Sequence, residues 1–116
     1  MIHKIEKIAS ILKRKADGKI YLFGASETGK KVYGKIQENG ADSGVAAFVD
    51  NNTDLHEKTV LGKNIINKYE LQTDICDKDI VLITSNKYVA IENDLDQLGI
   101  KEYVRCDETF IKYCID

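Results

Sequence analysis

Proline is absent from this chain of 116 residues, and no low-complexity or linker-like segment interrupts it. Without a repeat or a shift of composition to divide it, the chain is expected to form one domain, residues 1–116, near the modal domain size. No apolar run approaches the ~20 residues of a membrane-spanning helix. The first residues also lack the continuous apolar core of a secretory leader. A net charge of −2 provides no basic surface for nucleic acid. Neither nucleic acid nor membrane is therefore an expected partner. Cysteine is scarce and odd in number: Cys76, Cys106 and Cys114 form no C-x-x-C pair and read as reduced thiols of a cytoplasmic protein. His3 and His56 are isolated, with no partner at metal-ligand spacing, and read as surface residues. Apolar residues at 43% and charged residues at 31% give the balance of an ordinary soluble fold.

The stretch from Lys19 to Asp50 organises the rest. An apolar run, Ile20 to Phe23, meets Gly24; the loop Ala25-Ser26-Glu27-Thr28 meets Gly29; a helical pattern follows as far as Asn39-Gly40; a second apolar run, Val45 to Val49, ends on Asp50. Strand, glycine turn, helix, strand and acid form the layout of a βαβ nucleotide-binding unit. Both runs are apolar without alternation, as strands covered on both faces require. Val32, Tyr33 and Ile36 share one face of the intervening helix, and Asn39-Gly40 is a stop signal. Two departures from the dinucleotide fingerprint weaken a phosphate site. Ser26 stands where a second glycine would admit the backbone to a pyrophosphate, and Glu27 would repel an anion at the helix start. Asp50 also follows Gly24 by 26 residues, against roughly 20 in the fingerprint, though the end of a strand suits a ribose hydroxyl or a base edge. The alternative is that Gly24 and Gly29 only form a tight turn and Asp50 opens an Asx turn with Asn51-Asn52.

Around this unit, residues 1–17 carry Ile2, Ile5, Ile8, Ala9, Leu12 and Ala16 on one helical stripe. Asn51 to Asp54 is a turn cluster. A short strand is expected near Asn64 to Ile66, and Asn67 with Glu70 reads as a capping box opening a helix to about Thr73. Ile80 to Thr84 is a buried strand; Ser85 or Asn86 caps a helix bearing Tyr88, Ile91, Leu95 and Leu98, closed by Gly99. A last strand is expected over 102–106, and Asp107 opens a final turn with Phe110 and Tyr113. Alternating strands and helices predict an α/β, three-layer fold: a parallel sheet of five strands in order 3-2-1-4-5, helices on both faces, core 19–106. A crevice then opens between Gly24 and Thr84-Ser85, where the winding reverses. Its expected lining is Gly24, Ala25, Ser26, Glu27, Thr28, Gly29, Asp50, Asn51, Thr84, Ser85 and Asn86.

Catalytic patterns are missing. There is no Ser-His-Asp set, metal cluster, P-loop lysine or paired histidine. Cys106 at a strand end reads as a core thiol, and Lys87-Tyr88 lacks the i, i+4 spacing of a reductase pair.

Leu22-Phe23-Gly24-Ala25-Ser26-Glu27-Thr28-Gly29-Lys30-Lys31, Phe48-Val49-Asp50-Asn51 and Leu61-Gly62-Lys63 together resemble small Rossmann-like domains of bacterial sugar-modifying enzymes. Such domains stand at the N-terminus of sugar O- and N-acyltransferases, and related ones occur in nucleotide-sugar dehydratases and in glycosyl- or glycerophosphotransferases. Ile80 to Ser85, followed by a helix ending Leu98-Gly99-Ile100, is similar to the same pattern. The resemblance implies a nucleotide or nucleotide-sugar, or NAD(P), in the crevice, with Asp50 and Asn51 near the base or ribose. It also implies a non-catalytic module of a transferase of cell-surface glycan synthesis, acting with another domain or a second copy. A stand-alone NAD-binding sensor or enzyme, and a structural domain with a degraded crevice, are the alternatives.

Overall fold

A computed structural model describes residue 10, residues 12–13 and residues 17–106. The helix expected over 1–17 lies largely outside the described residues, and the turn from Asp107, with Cys114, lies wholly outside them. Within residues 17–106, six strands and three α-helices follow one another as β1 (Ile20–Phe23), α1 (Glu27–Glu38), β2 (Val45–Val49), β3 (Thr59–Val60), β4 (Lys63–Ile66), α2 (Lys68–Asp74), β5 (Ile80–Ile83), α3 (Tyr88–Gln97) and β6 (Tyr103–Arg105).

All six strands join one sheet in the order β3-β4-β2-β1-β5-β6. β1 lies inside it, parallel to β2 on one side and to β5 on the other. The sheet is mixed, which corrects the expectation of a purely parallel five-stranded sheet in order 3-2-1-4-5. The difference arises at Leu61-Gly62. Both residues have positive φ, 51° and 79°, the backbone of a two-residue hairpin turn whose twist matches paired strands. The chain reverses there and lays Thr59 against Asn64 and Val60 against Lys63, antiparallel. Two residues fall below ordinary strand length, so the piece carries no periodic signal.

Residues along the strands alternate between two cores. Ile20, Leu22, Phe48, Ile80, Leu82 and Val104 face α1 and its Val32, Tyr33 and Ile36. Tyr21, Phe23, Val49, Val81, Ile83 and Tyr103 face α2 and α3 through Leu71, Ile91 and Leu95. Each wholly buried aliphatic or phenyl group contributes about 1.5–3 kcal/mol. The alternation slips once in β2. Between the Ile20–Val45 and Tyr21–Ala47 pairs the register shifts, and Ala46 is left exposed, an irregularity that adds local twist. From β1 to β2 the chain moves one way across the sheet over α1. From β5 to β6 it moves the other way over α3 on the opposite face. Reversing both direction and face gives the two crossovers the same hand, as the right-handed rule requires.

Helix ends match their sequence signals unevenly. Asn67 accepts from the Tyr69 and Glu70 N–H groups while the Glu70 carboxylate accepts from the Asn67 N–H, the full capping box at α2. At α3, neither Ser85 nor Asn86 is the cap. The helix starts one or two residues later with Lys87 at the N-cap, because Ser85 Oγ instead accepts from the Lys87 N–H (3.1 Å).

Candidate functional site

The carboxyl ends of β1, β2 and β5 converge where the winding reverses, and the backbone there is tightly tied. Gly24 adopts φ +129°. Its N–H donates to the Val49 carbonyl (2.7 Å), and its own carbonyl accepts from Thr84 Oγ1 (2.8 Å). A Cβ at Gly24 would stand 2.6 Å from the Thr84 carbonyl oxygen, so only glycine fits in both conformation and space. Within the first turn of α1, Gly29 packs so closely on the Gly24 carbonyl that any side chain would overlap it. The two glycines therefore do steric work: they let α1 start directly against the end of β1.

Asp50 completes the tie. Its Oδ2 accepts from the Ala25 N–H (3.0 Å) and its Oδ1 from the Asn52 N–H (2.9 Å). The second bond is an Asx turn; the first staples the end of β2 to the loop after β1. His56, half-buried rather than on the surface, donates its Nε2–H to the Asp50 carbonyl oxygen (2.7 Å). Further along, Asn51 donates to Asp94 Oδ2 (3.0 Å), and Lys68 Nζ donates to Asp94 Oδ1 (3.1 Å). A polar strap thus crosses from the end of β2 to α3 and the start of α2.

A cavity of about 400 Å³ opens above these ends, lined by Phe23, Gly24, Asp50, Asn51, Asn52, Ser85, Lys87, Ala90 and Ile91. Four of the eleven expected residues meet there: Gly24, Asp50, Asn51 and Ser85. The other seven do not line it. Ala25, Thr28 and Gly29 are buried in the turn, and Thr84 is wholly buried beneath Gly24. Ser26 holds the N-cap of α1 with no side-chain capping bond, and Asn86 is exposed. Glu27 points to solvent beside Lys30, 3.4 Å away. Phe23, Asn52, Lys87, Ala90 and Ile91 join the lining without having been expected. Lys87 had a usable signal, since it follows β5 by four residues and so falls at the same sheet edge.

A second cavity, of about 440 Å³, lies at the opposite edge, before β5 and β6. Its charged lining is Asp77, Asp79, Glu102 and Lys101, an acidic balance. Asp79 holds this end together, accepting from the Lys19 N–H (2.7 Å), the Cys76 N–H (3.0 Å) and the Cys76 thiol (3.4 Å). Among the described residues no group of three His, Cys, Asp or Glu is placed to hold a metal ion, and no helix is long and apolar enough to cross a membrane.

The class defined by these features is an α/β domain with one mixed sheet, helices on both faces, and a small crevice at the carboxyl edge where the winding reverses. Residues 16–104 match the family described as C2185-like, N-terminal, and the chain belongs to that family. The description names no ligand and no activity. No curated protein and no solved structure matches the chain.

Proposed function

We propose that this chain is a nucleotide- or nucleotide-sugar-binding module, without catalysis of its own, of a bacterial sugar-transfer enzyme of cell-surface glycan synthesis. The observation that carries the reading is the crevice at the carboxyl edge, where open α/β sheets hold their ligands. Its volume of about 400 Å³ falls in the ~300–1,000 Å³ range of small-molecule sites. Its lining pairs an apolar wall, Phe23, Ala90 and Ile91, with the polar groups of Asp50, Asn51, Asn52, Ser85 and Lys87. The reduced thiol of Cys76 is compatible with a cytoplasmic setting. A family defined by an N-terminal unit is compatible with a module that works beside another domain.

One observation favours a structural domain with a degraded crevice instead. Both carboxylate oxygens of Asp50 already accept backbone N–H groups, which fixes the loop whether or not a ligand comes. Amide chemical-shift mapping with a panel of nucleotides and nucleotide-sugars separates the readings. Shifts clustered at Gly24, Asp50, Asn51, Asn52, Ser85 and Lys87 are expected. Shifts confined to residues 76–79 and 98–102, or no saturable shift with any member of the panel, would refute the binding reading.

A further inference from the structure

Resting on the nucleotide reading, we infer that the crevice takes a single nucleoside phosphate with its phosphate at Lys87 and Ser85, beside the end of β5, and not at the glycine loop before α1. Three observations converge on this placement.

The first is where the cations are. Lys30 is engaged by Glu27, Lys68 by Asp94 and Arg105 by Glu92. Lys87 is the one cation among the described lining residues. Its ammonium has no carboxylate within ion-pair distance among the described residues, so it remains available to an incoming anion. Ser85 Oγ lies beside it, accepting from the Lys87 N–H and keeping its own proton to donate.

The second is the state of the glycine loop. Of residues 24–29 only Gly24 lines the cavity. The Gly24 N–H is bound to Val49, the Ala25 N–H to Asp50, and Glu27 sets a carboxylate at the start of α1. A phosphate beside Gly24 and Ala25 would find both of those donors spent.

The third is size and lining. About 400 Å³ is near the lower end of small-molecule cavities and suits one nucleotide rather than two. The exposed methyl of Ala90 and the Asn51 and Asn52 side chains offer a base an apolar contact and edge partners. The carboxylate of Asp50 would repel phosphate from that end and accept from ribose or base N–H and O–H donors. The acidic cavity at the opposite edge offers a phosphate nothing comparable.

Calorimetric titration of the whole chain with ADP, GDP, UDP, CDP and the parent nucleosides tests the placement. The native chain is expected to prefer its best diphosphate over the matching nucleoside by about ten-fold. Lys87→Gln is expected to remove five- to ten-fold of the diphosphate affinity, leaving the nucleoside affinity unchanged; one ionic hydrogen bond at a partly open site is of that order. Lys31→Gln, an exposed change on α1, should alter neither. If Lys87→Gln leaves the diphosphate preference intact while amide shifts still map to the crevice, the phosphate placement is wrong and the binding reading stands. If no diphosphate shifts the crevice amides, both fall. Circular dichroism of each variant separates lost binding from lost fold.

Discussion

Asp79 shows how one side chain at the quiet edge of the sheet sets acid stability. Burial opposes its ionisation, but the N–H groups of Lys19 and Cys76, the Cys76 thiol and the Lys19 charge outweigh that and hold its carboxyl below the usual carboxylate range. A carboxyl with a folded pKa below its unfolded value of ~3.9 stabilises the native state fully above that value. The contribution is lost as pH falls through the folded pKa. Asp79→Asn should therefore lower the urea midpoint at pH 7 and flatten the loss of stability on acidification below about pH 5. An acid limb as steep as that of the native chain would assign the acid sensitivity to other carboxylates. At this scale legibility was partial. Gly24, Asp50, Asn51 and Ser85 could be placed because each follows or ends an apolar strand. Asp79 only precedes its strand, where no sequence pattern marks it out. The bonds that occupy Asp50 depend on β1 and β2 being neighbours, which no local pattern reveals. Glu27 is the clearest reversal: its charge is where the sequence put it, but its side chain leaves the crevice for solvent and Lys30.

Among the elements, the β3–β4 hairpin carries the plainest local strain. Leu61 sits in the left-handed region with φ 51° and is 51% exposed. Such a conformation costs a residue with an ordinary Cβ roughly 1–2 kcal/mol, and little burial offsets it here. Asparagine before glycine is the preferred pair for this turn. Leu61→Asn is expected to stabilise the domain by about 0.5–1 kcal/mol, a rise in melting temperature of about 2–8 °C. An unchanged or lower melting temperature would mean that the leucine side chain contributes packing that outweighs the strain. Long elements were readable because several cues agreed on each: periodicity and Asn39-Gly40 for α1, the Asn67–Glu70 capping box for α2, and four consecutive apolar residues for β1 and β5. The failures are elements decided by few bonds. β3 exists through two residues and a turn, and the α3 start was displaced by a single Ser85 hydroxyl.

For the molecule as a whole, fold class followed from the alternation of strands and helices. The mixed character of the sheet did not, because it depends on one hairpin. The interior position of β1 has a consequence for how the chain is made. Ile20 must find Val45 on one side and, sixty residues away, Ile80 on the other. A ribosome adding ~5–20 residues per second separates the two strands by about 3–12 s. Throughout that interval Ile20 to Phe23, an apolar strip buried along its whole length in the finished sheet, has at best one paired edge. Its other edge is a template for any extended chain nearby. A chain terminated after Asp74 freezes that stage. It is expected to self-associate, as read by light scattering, and to return to a monomer when a peptide spanning Ile80 to Ile83 with its flanks is supplied. A truncated chain that stays monomeric at tens of micromolar would show that the nascent sheet finds another cover for β1. If the edge is open as the pairing implies, the vulnerable moment in this protein's life comes before its last third has been synthesised.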